Sequence, residues 1–449
     1  MKQKKEIKLF GLSLDSRELL VFIFLLAVVF RMFYGVMTGP YTRQHDFSGT
    51  HGHYEYVKII ANEGALPKSN DWQFYHPPLT HIVLAGGYAL LSDVIVTPEG
   101  APDDAKIADI LQVFPFIYSV LMLFVIYFIL KELGLKGGYL LLGFSIFAFH
   151  PTNIILSASL NNDMLTYLLY GVSFLFTVKW YKEQSFFNII CLALSIAASM
   201  LSKFSGVMIA PLTAIVFLTV LIKYVREKKS VGGLIAQFAL FGVICIPLGL
   251  SYTLRNYILF EQPLGYVAYM GKDNWQYIDK PLISRLFGYW APDLDSPFSD
   301  LYRHNILSTC FKTSLFGEWG GAFSGFSSRF GAAFTELAGW VVTFFAAVFT
   351  AVSAFLSGKY LFGGKQDGVF SFLLVGNFVL QFGFFIYFNA GYPFGCTADF
   401  RYLAPTLISL SALFPLGLEK VKSNLLKQSF IATAICFSLA SSAFYMLCA

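Results

Sequence analysis

Charge is scarce in this sequence. Lys, Arg, Asp and Glu make up 13% of its 449 residues, about half the share that soluble domains carry. That deficit excludes an ordinary water-soluble chain. The net charge of +5 does not point to nucleic acid, because the basic residues sit in short loops between apolar runs, where lipid headgroups and the insertion machinery favour them. Cysteine is sparse as well. The six Cys residues, at 191, 245, 310, 396, 436 and 448, show no CxxC spacing, which excludes a metal motif and a disulfide framework. Cys310 and Cys396 fall in polar loops on one side and could pair, although nothing in the sequence requires it. No internal repeat or low-complexity linker is visible, and no soluble terminal domain is expected. The first apolar run lacks a small-residue cleavage site, so it is expected to stay as a helix rather than leave as a signal peptide.

What the chain has is apolar length. It is 56% hydrophobic, with 49 Phe and a mean hydropathy of +0.62. Apolar runs of roughly 17–25 residues, each able to cross hydrocarbon, recur from end to end. They predict an all-α, polytopic bundle of about eleven spans. The expected spans are 18–37, 107–130, 137–156, 163–181, 187–201, 206–223, 232–252, 332–357, 369–390, 402–419 and 428–447. With that count, Lys2, Lys4, Lys5 and Lys8, Lys131 and Lys136, Lys179 and Lys182, Lys223 to Lys229, Lys359 and Lys365, and Lys420 to Lys427 all fall on one side. That side is expected to be cytoplasmic, in a plasma membrane. Residues 79–92 are too short for a span and are placed as an outer or re-entrant helix, since counting them would invert every later basic loop.

The remaining polar residues gather on the opposite side. Three divisions follow: a membrane module over 1–260 with a first outer loop at about 38–106, an aromatic-rich outer loop over 261–331, and C-terminal helices over 332–449. The first loop carries His45, Asp46, His51, His53, Glu55, Tyr75 and His76. A carboxylate at a membrane surface, shielded by aromatics, can serve as a general base, and Asp46 is the first candidate; the plainer reading is a solvated loop carboxylate. His51 and His53, with Asp46 and His76, also suit a divalent metal such as Zn, Mn or Mg. Asn161-Asn162-Asp163 stands between two spans, where Asn and Asp are favoured helix caps and where an acid is also a functional candidate. Lys203, in Ser-Lys-Phe-Ser-Gly, departs from the basic-loop pattern; it suits a phosphate or snorkels to the interface. Arg255, Lys312 and Arg401 place further cations at the same boundary, and Glu318 stands six residues after Lys312.

The order of these motifs resembles the GT-C superfamily of polytopic glycosyltransferases. The elements are a loop Asp, then HPPL, Asn-Asn-Asp, SKFSG, Arg-Asn-Tyr, KTSLFGEW and CTADFRY. The most similar branch holds protein O-mannosyltransferases, the transferase that adds aminoarabinose to lipid A, and many uncharacterised bacterial relatives. The resemblance covers nearly the whole chain. It implies a helical membrane module with outer juxtamembrane helices, and a donor sugar on polyprenyl phosphate. The acceptor would be a glycan, lipid or protein. It also implies Asp46 as the base of an inverting transfer, with Asp163 or Glu55 as further acids. Lys203, Arg255, Arg401 and Lys312 would hold the phosphate, and Tyr75, His76, Asn162 and Glu318 would contact substrate. The chain departs from the pattern in two places. Asp46 is followed by Phe47 where the mannosyltransferases carry Asp-Glu, and His76 stands where the lipid A enzyme has Lys. A transporter or flippase of lipid-linked glycans is the alternative from another class, and a non-catalytic membrane scaffold is a third.

Overall fold

The computed structural model describes residues 7–9, 12–14, 16–40, 47, 49–288, 295–298, 305–318, 330–364 and 366–448. After a short antiparallel hairpin of β1 (Ile7–Leu9) and β2 (Leu12–Leu14), the described chain is helical. Hydrocarbon offers no partner to a bare backbone, so each apolar run closes its hydrogen bonds on itself. The order is α1 (Ser16–Met37), α2 (His53–Glu63), α3 (Leu79–Leu91), α4 (Asp104–Leu111), α5 (Val113–Glu132), α6 (Gly137–Ala148), α7 (Pro151–Leu156), α8 (Asp163–Lys182), α9 (Phe186–Ser202), α10 (Ala210–Arg226) and α11 (Gly232–Phe260). Then come α12 (Leu282–Phe287), α13 (Ile306–Phe316), α14 (Ala332–Phe362), α15 (Gly368–Gly391), α16 (Thr406–Glu419) and α17 (Asn424–Cys448).

Helix α8 lies at the centre, against α5 on one side and α9 on the other, with α11 packed on α9. Its Thr166, Tyr167, Tyr170, Ser173 and Thr177 are all buried. All but Tyr167 bond to neighbouring helices: Thr166 to Ser202 at 2.9 Å, Tyr170 to Asn377 at 2.6 Å, Ser173 to Ser195 at 3.0 Å and Thr177 to Thr213 at 2.9 Å. Such bonds contribute about 0.6 kcal/mol each on average in membrane bundles. The C-terminal helices α14, α16 and α17 form a second apolar cluster with α6 and α13. Small residues permit this approach. A Cβ on Gly143 would lie 2.5 Å from the Ser411 carbonyl oxygen, and one on Gly417 2.1 Å from that of Leu356. The opposite faces are apolar and exposed, as with Val21, Leu25, Val29, Met32 and Val36 along α1, and such a surface suits lipid rather than water.

All eleven expected spans are helical, but fewer meet the length and apolarity of a crossing. Among the described residues seven helices do, and an eighth is reached if the bent pair Gly395–Leu403 and Thr406–Glu419 counts as one span. The run expected over 137–156 breaks at His150-Pro151 into α6 and α7, because a proline starts a helix far more readily than it continues one. Helix α9 has 17 residues. Helix α8 has 20, but its buried hydroxyl groups lower its hydropathy: it is a core helix shielded by protein on all sides. Residues 79–92 form the 13-residue α3, packed on α2 and α4.

Candidate functional site

A cavity of about 420 Å³ opens at one end of the bundle. Six stretches of chain build it: the segment after α1, the start of α8, the end of α9 with the turn that follows, the loop after α11, the residue Glu318 just past α13, and the end of α15 with the segment joining it to α16. Of the residues singled out in the sequence, His53, Tyr75, His76, Asn162, Lys203, Glu318 and Arg401 line it. Asp163 borders a small adjoining cavity of about 40 Å³, shared with Lys203 and Arg401.

The charged floor begins at the N-terminus of α8. The N-cap is Asn162, whose side chain makes no cap bond; the residue before it, Asn161, accepts from the Asp163 N–H at 3.0 Å through its side-chain oxygen. Asp163 then turns its carboxylate to Lys203, whose ammonium donates to Oδ1. Lys203 ends α9 in an extended conformation and leads into a tight turn over Phe204–Ile209. The turn needs Gly206, since a Cβ there would meet Ser199 Oγ at 2.3 Å. Arg401 comes from the far side. Asp399 Oδ1 accepts from the Arg401 N–H at 2.8 Å. The guanidinium lies 3.8 Å from Asp163, 3.7 Å from Glu318 and 3.8 Å from Asp399, in Coulombic range but beyond a good hydrogen bond. The Tyr402 ring sits under both cations, 5.0 Å from Lys203 Nζ and 5.3 Å from the Arg401 guanidinium carbon. Two cations and three carboxylates thus share a largely buried floor.

The opposite wall is built of imidazoles. His53 and His76 stack at 5.8 Å, and His53 Nδ1 meets His81 Nε2 at 2.9 Å. His81 is wholly buried beneath the Tyr56 ring, 4.0 Å away. Burial first, and then the neighbouring His53, hold His81 well below the ordinary imidazole value, so it is neutral. Tyr56 bonds the Tyr252 hydroxyl at 3.0 Å and the His76 carbonyl at 3.2 Å, tying the first loop to α11. Burial raises the Tyr56 hydroxyl well above its usual value. Beyond these walls the cavity turns apolar, with Leu264, Tyr266, Phe384 and Phe388 at its margin.

Several expected residues lie elsewhere. Asp46, with His45, falls outside the described residues. Glu55 accepts from the His51 N–H and does not line the cavity. Arg255 is turned away to the Pro67 carbonyl at 3.1 Å and its own neighbour Asn256 at 2.8 Å, so it braces the first loop instead of facing the cavity. Lys312 is buried within α13 and does not line the cavity either. The His51 ring packs on Phe74 at 4.8 Å. Among the described residues no three His, Cys, Asp or Glu side chains are grouped to hold a metal ion. Cys310 and Cys396 are not joined in a disulfide. The sequence reading passed over Asp399, Tyr402, Gln276 and His81. The first two stood inside the CTADFRY motif already singled out, whereas His81 was hidden in an apolar run and Gln276 in a loop with no pattern.

No known protein family and no curated protein matches the sequence. Solved structures do. ArnT from Cupriavidus metallidurans, bound to undecaprenyl phosphate, is similar over 95% of this chain and 76% of that one, at 10% identity and a TM-score of 0.50. The Archaeoglobus fulgidus oligosaccharyltransferase in its apo form aligns over 94% of this chain and 56% of that one, at 12% identity and a TM-score of 0.46. The Pmt1-Pmt2 protein O-mannosyltransferase of S. cerevisiae, bound to its sugar donor, aligns over 55% of this chain at 15% identity and a TM-score of 0.38, and this chain spans about a third (34%) of that one. ArnT carries the comparison, and what it carries is the fold: the chain has the GT-C membrane fold.

Proposed function

We propose that this protein is a membrane glycosyltransferase that moves a sugar from a polyprenyl-phosphate donor to an acceptor hydroxyl. The observation that carries this reading is the make-up of the cavity: a charged floor with Lys203 and Arg401, a polar wall, and an apolar margin, all at one end of a GT-C fold. Such a graded site suits a ligand that is lipid at one end and sugar at the other. In this reading the N-terminus is cytoplasmic and the cavity extracytoplasmic in a plasma membrane, the arrangement that the basic loops favour.

In this reading Asp46 takes the proton of the acceptor hydroxyl. The acceptor oxygen attacks the anomeric carbon, the bond from that carbon to the phosphate oxygen breaks, and its electron pair leaves with the lipid phosphate. The sugar is inverted. Lys203 and Arg401 stabilise the charge growing on the leaving oxygen, which is most effective where donors are already in place. Asp163 holds Lys203 and stands near Arg401, so it organises the floor rather than reacting. The acceptor (a glycan, lipid or protein) rests on the family resemblance, and a divalent metal on His51 and His53 rests on the sequence of the first loop.

The test is transfer from radiolabelled polyprenyl-phosphate sugars to a crude envelope acceptor by the purified protein. The wild type should transfer or hydrolyse at least one donor. Asp46→Asn should cost about 10²–10⁴-fold in kcat, the usual share of a general base, with donor binding unchanged. Turnover that survives the substitution removes Asp46 as base. A wild type that binds donor but only moves it across liposomes makes the protein a flippase.

A further inference from the structure

The charged groups of the floor already face one another, and beside them, at the start of α8, stands a neutral donor. Asn162 is 1% exposed and lines the cavity, yet its amide nitrogen has no hydrogen-bond partner. Its position is rigid. The Asn162 carbonyl accepts from the Thr166 N–H at 3.2 Å, from Thr166 Oγ1 at 2.6 Å and from Ser202 Oγ at 3.4 Å. Ser202 in turn bonds Thr80 at 2.7 Å, so α3, α8 and α9 are all joined at this point. The amide oxygen and nitrogen exchange places by a half-turn about χ2, the soft torsion of an amide side chain, so the position of the amide that borders the cavity is open to the NH₂ group. Buried polar groups in native proteins are nearly always paired, and an orphan held this firmly beside a cavity is matched by an acceptor atom on what fills it.

We infer that Asn162 is a specificity-determining residue that donates a hydrogen bond to one hydroxyl oxygen of the donor sugar. This rests on the glycosyltransferase reading and deepens it. A neutral amide discriminates poorly among anions, whose phosphate oxygens are better served by Lys203 and Arg401. It discriminates well between a sugar that carries the hydroxyl and one that lacks it, because the deoxy sugar leaves the buried amide unpaired.

The experiment takes the polyprenyl-phosphate sugar that the wild type turns over best, its series of monodeoxy analogues, and bare undecaprenyl phosphate. Wild type should lose about 10–100-fold in kcat/KM with one deoxy analogue, the effect of one unpaired buried donor. Asn162→Leu should turn over the parent donor as poorly as wild type turns over that analogue, and should no longer distinguish the two. Asn162→Ala, which also removes the donor without adding charge, repeats the measurement in case the Leu variant does not fold. Binding of bare undecaprenyl phosphate should stay within twofold. Equal discrimination by variant and wild type across the series would overturn the inference while leaving the glycosyltransferase reading intact. Weakened binding of the bare lipid phosphate would overturn it in favour of a phosphate contact. A wild type that transfers no sugar from any donor would overturn the parent reading, and this inference with it.

Discussion

The two sides of the cavity solve the problem of polar groups in an apolar bundle in opposite ways. The floor buries charges and sets them against one another: Lys203 on Asp163, with Arg401 between Asp163, Glu318 and Asp399. The wall buries imidazoles and keeps the deepest one uncharged, His81 under Tyr56 and against His53. A buried charge costs several kcal/mol in desolvation and is held only by its partners, whereas a neutral imidazole costs little while it stays neutral. The floor is therefore the fragile, reactive side, and the wall is a support whose weakness is acid.

That contrast breaks most visibly at Lys203. Lys203→Met leaves Asp163 buried without its ammonium and should destabilise the protein by about 3–5 kcal/mol, read as a lowered denaturation midpoint in detergent. Adding Asp163→Asn should recover part of the loss, and strict additivity of the two changes would remove the pair from the floor. Arg401 comes next. Arg401→Ala should lower kcat by about 10²–10³-fold, as for the loss of one preorganised donor, and Arg401→Lys should recover only part of it because the planar fork is lost.

The wall answers to pH. His81 is neutral in the fold, while in the unfolded chain it takes up a proton near its ordinary value of about 6.5. Its folded value is depressed, so the unfolded state binds more protons below that pH and stability falls as the medium is acidified. Melting measured between pH 7.5 and pH 5 should show this loss, and His81→Phe should flatten it. A slope unchanged in the variant would mean that another group sets the acid response. The smallest effect is expected at Arg255. Its bonds go to Pro67 and Asn256, so Arg255→Ala should cost about 1 kcal/mol of stability and leave donor binding within twofold. A large rise in KM would return Arg255 to the phosphate site.

Much of the fold could be read from the sequence, because apolar run length is a local property and lipid leaves the backbone one solution. The exceptions are instructive. Helix α8 reads as a span by length, yet its Thr166, Tyr170 and Thr177 face other helices, which only packing reveals. The run over 137–156 reads as one helix until the proline at 151 is weighed against its neighbours. In the site, Lys203 stood out because it broke the basic-loop pattern, and Arg401 because it followed a cluster of polar residues at the start of a span. Arg255 carried the same signal and was turned elsewhere. His81 carried none, since a lone imidazole in an apolar stretch is indistinguishable in sequence from a packed core residue.

By itself the sequence determined that this is a helical membrane protein and where most of its long apolar helices lie. Those properties follow from hydropathy summed over adjacent residues. Tertiary structure alone decided that Asn162, Lys203 and Arg401, separated by up to 239 positions (401 − 162), share one cavity, and that Arg255 and Glu55 do not line it. Convergence depends on which face each helix turns inward and on how closely glycines such as Gly143 and Gly206 let neighbours approach. Those contacts are made between distant parts of the chain, and no local pattern records them.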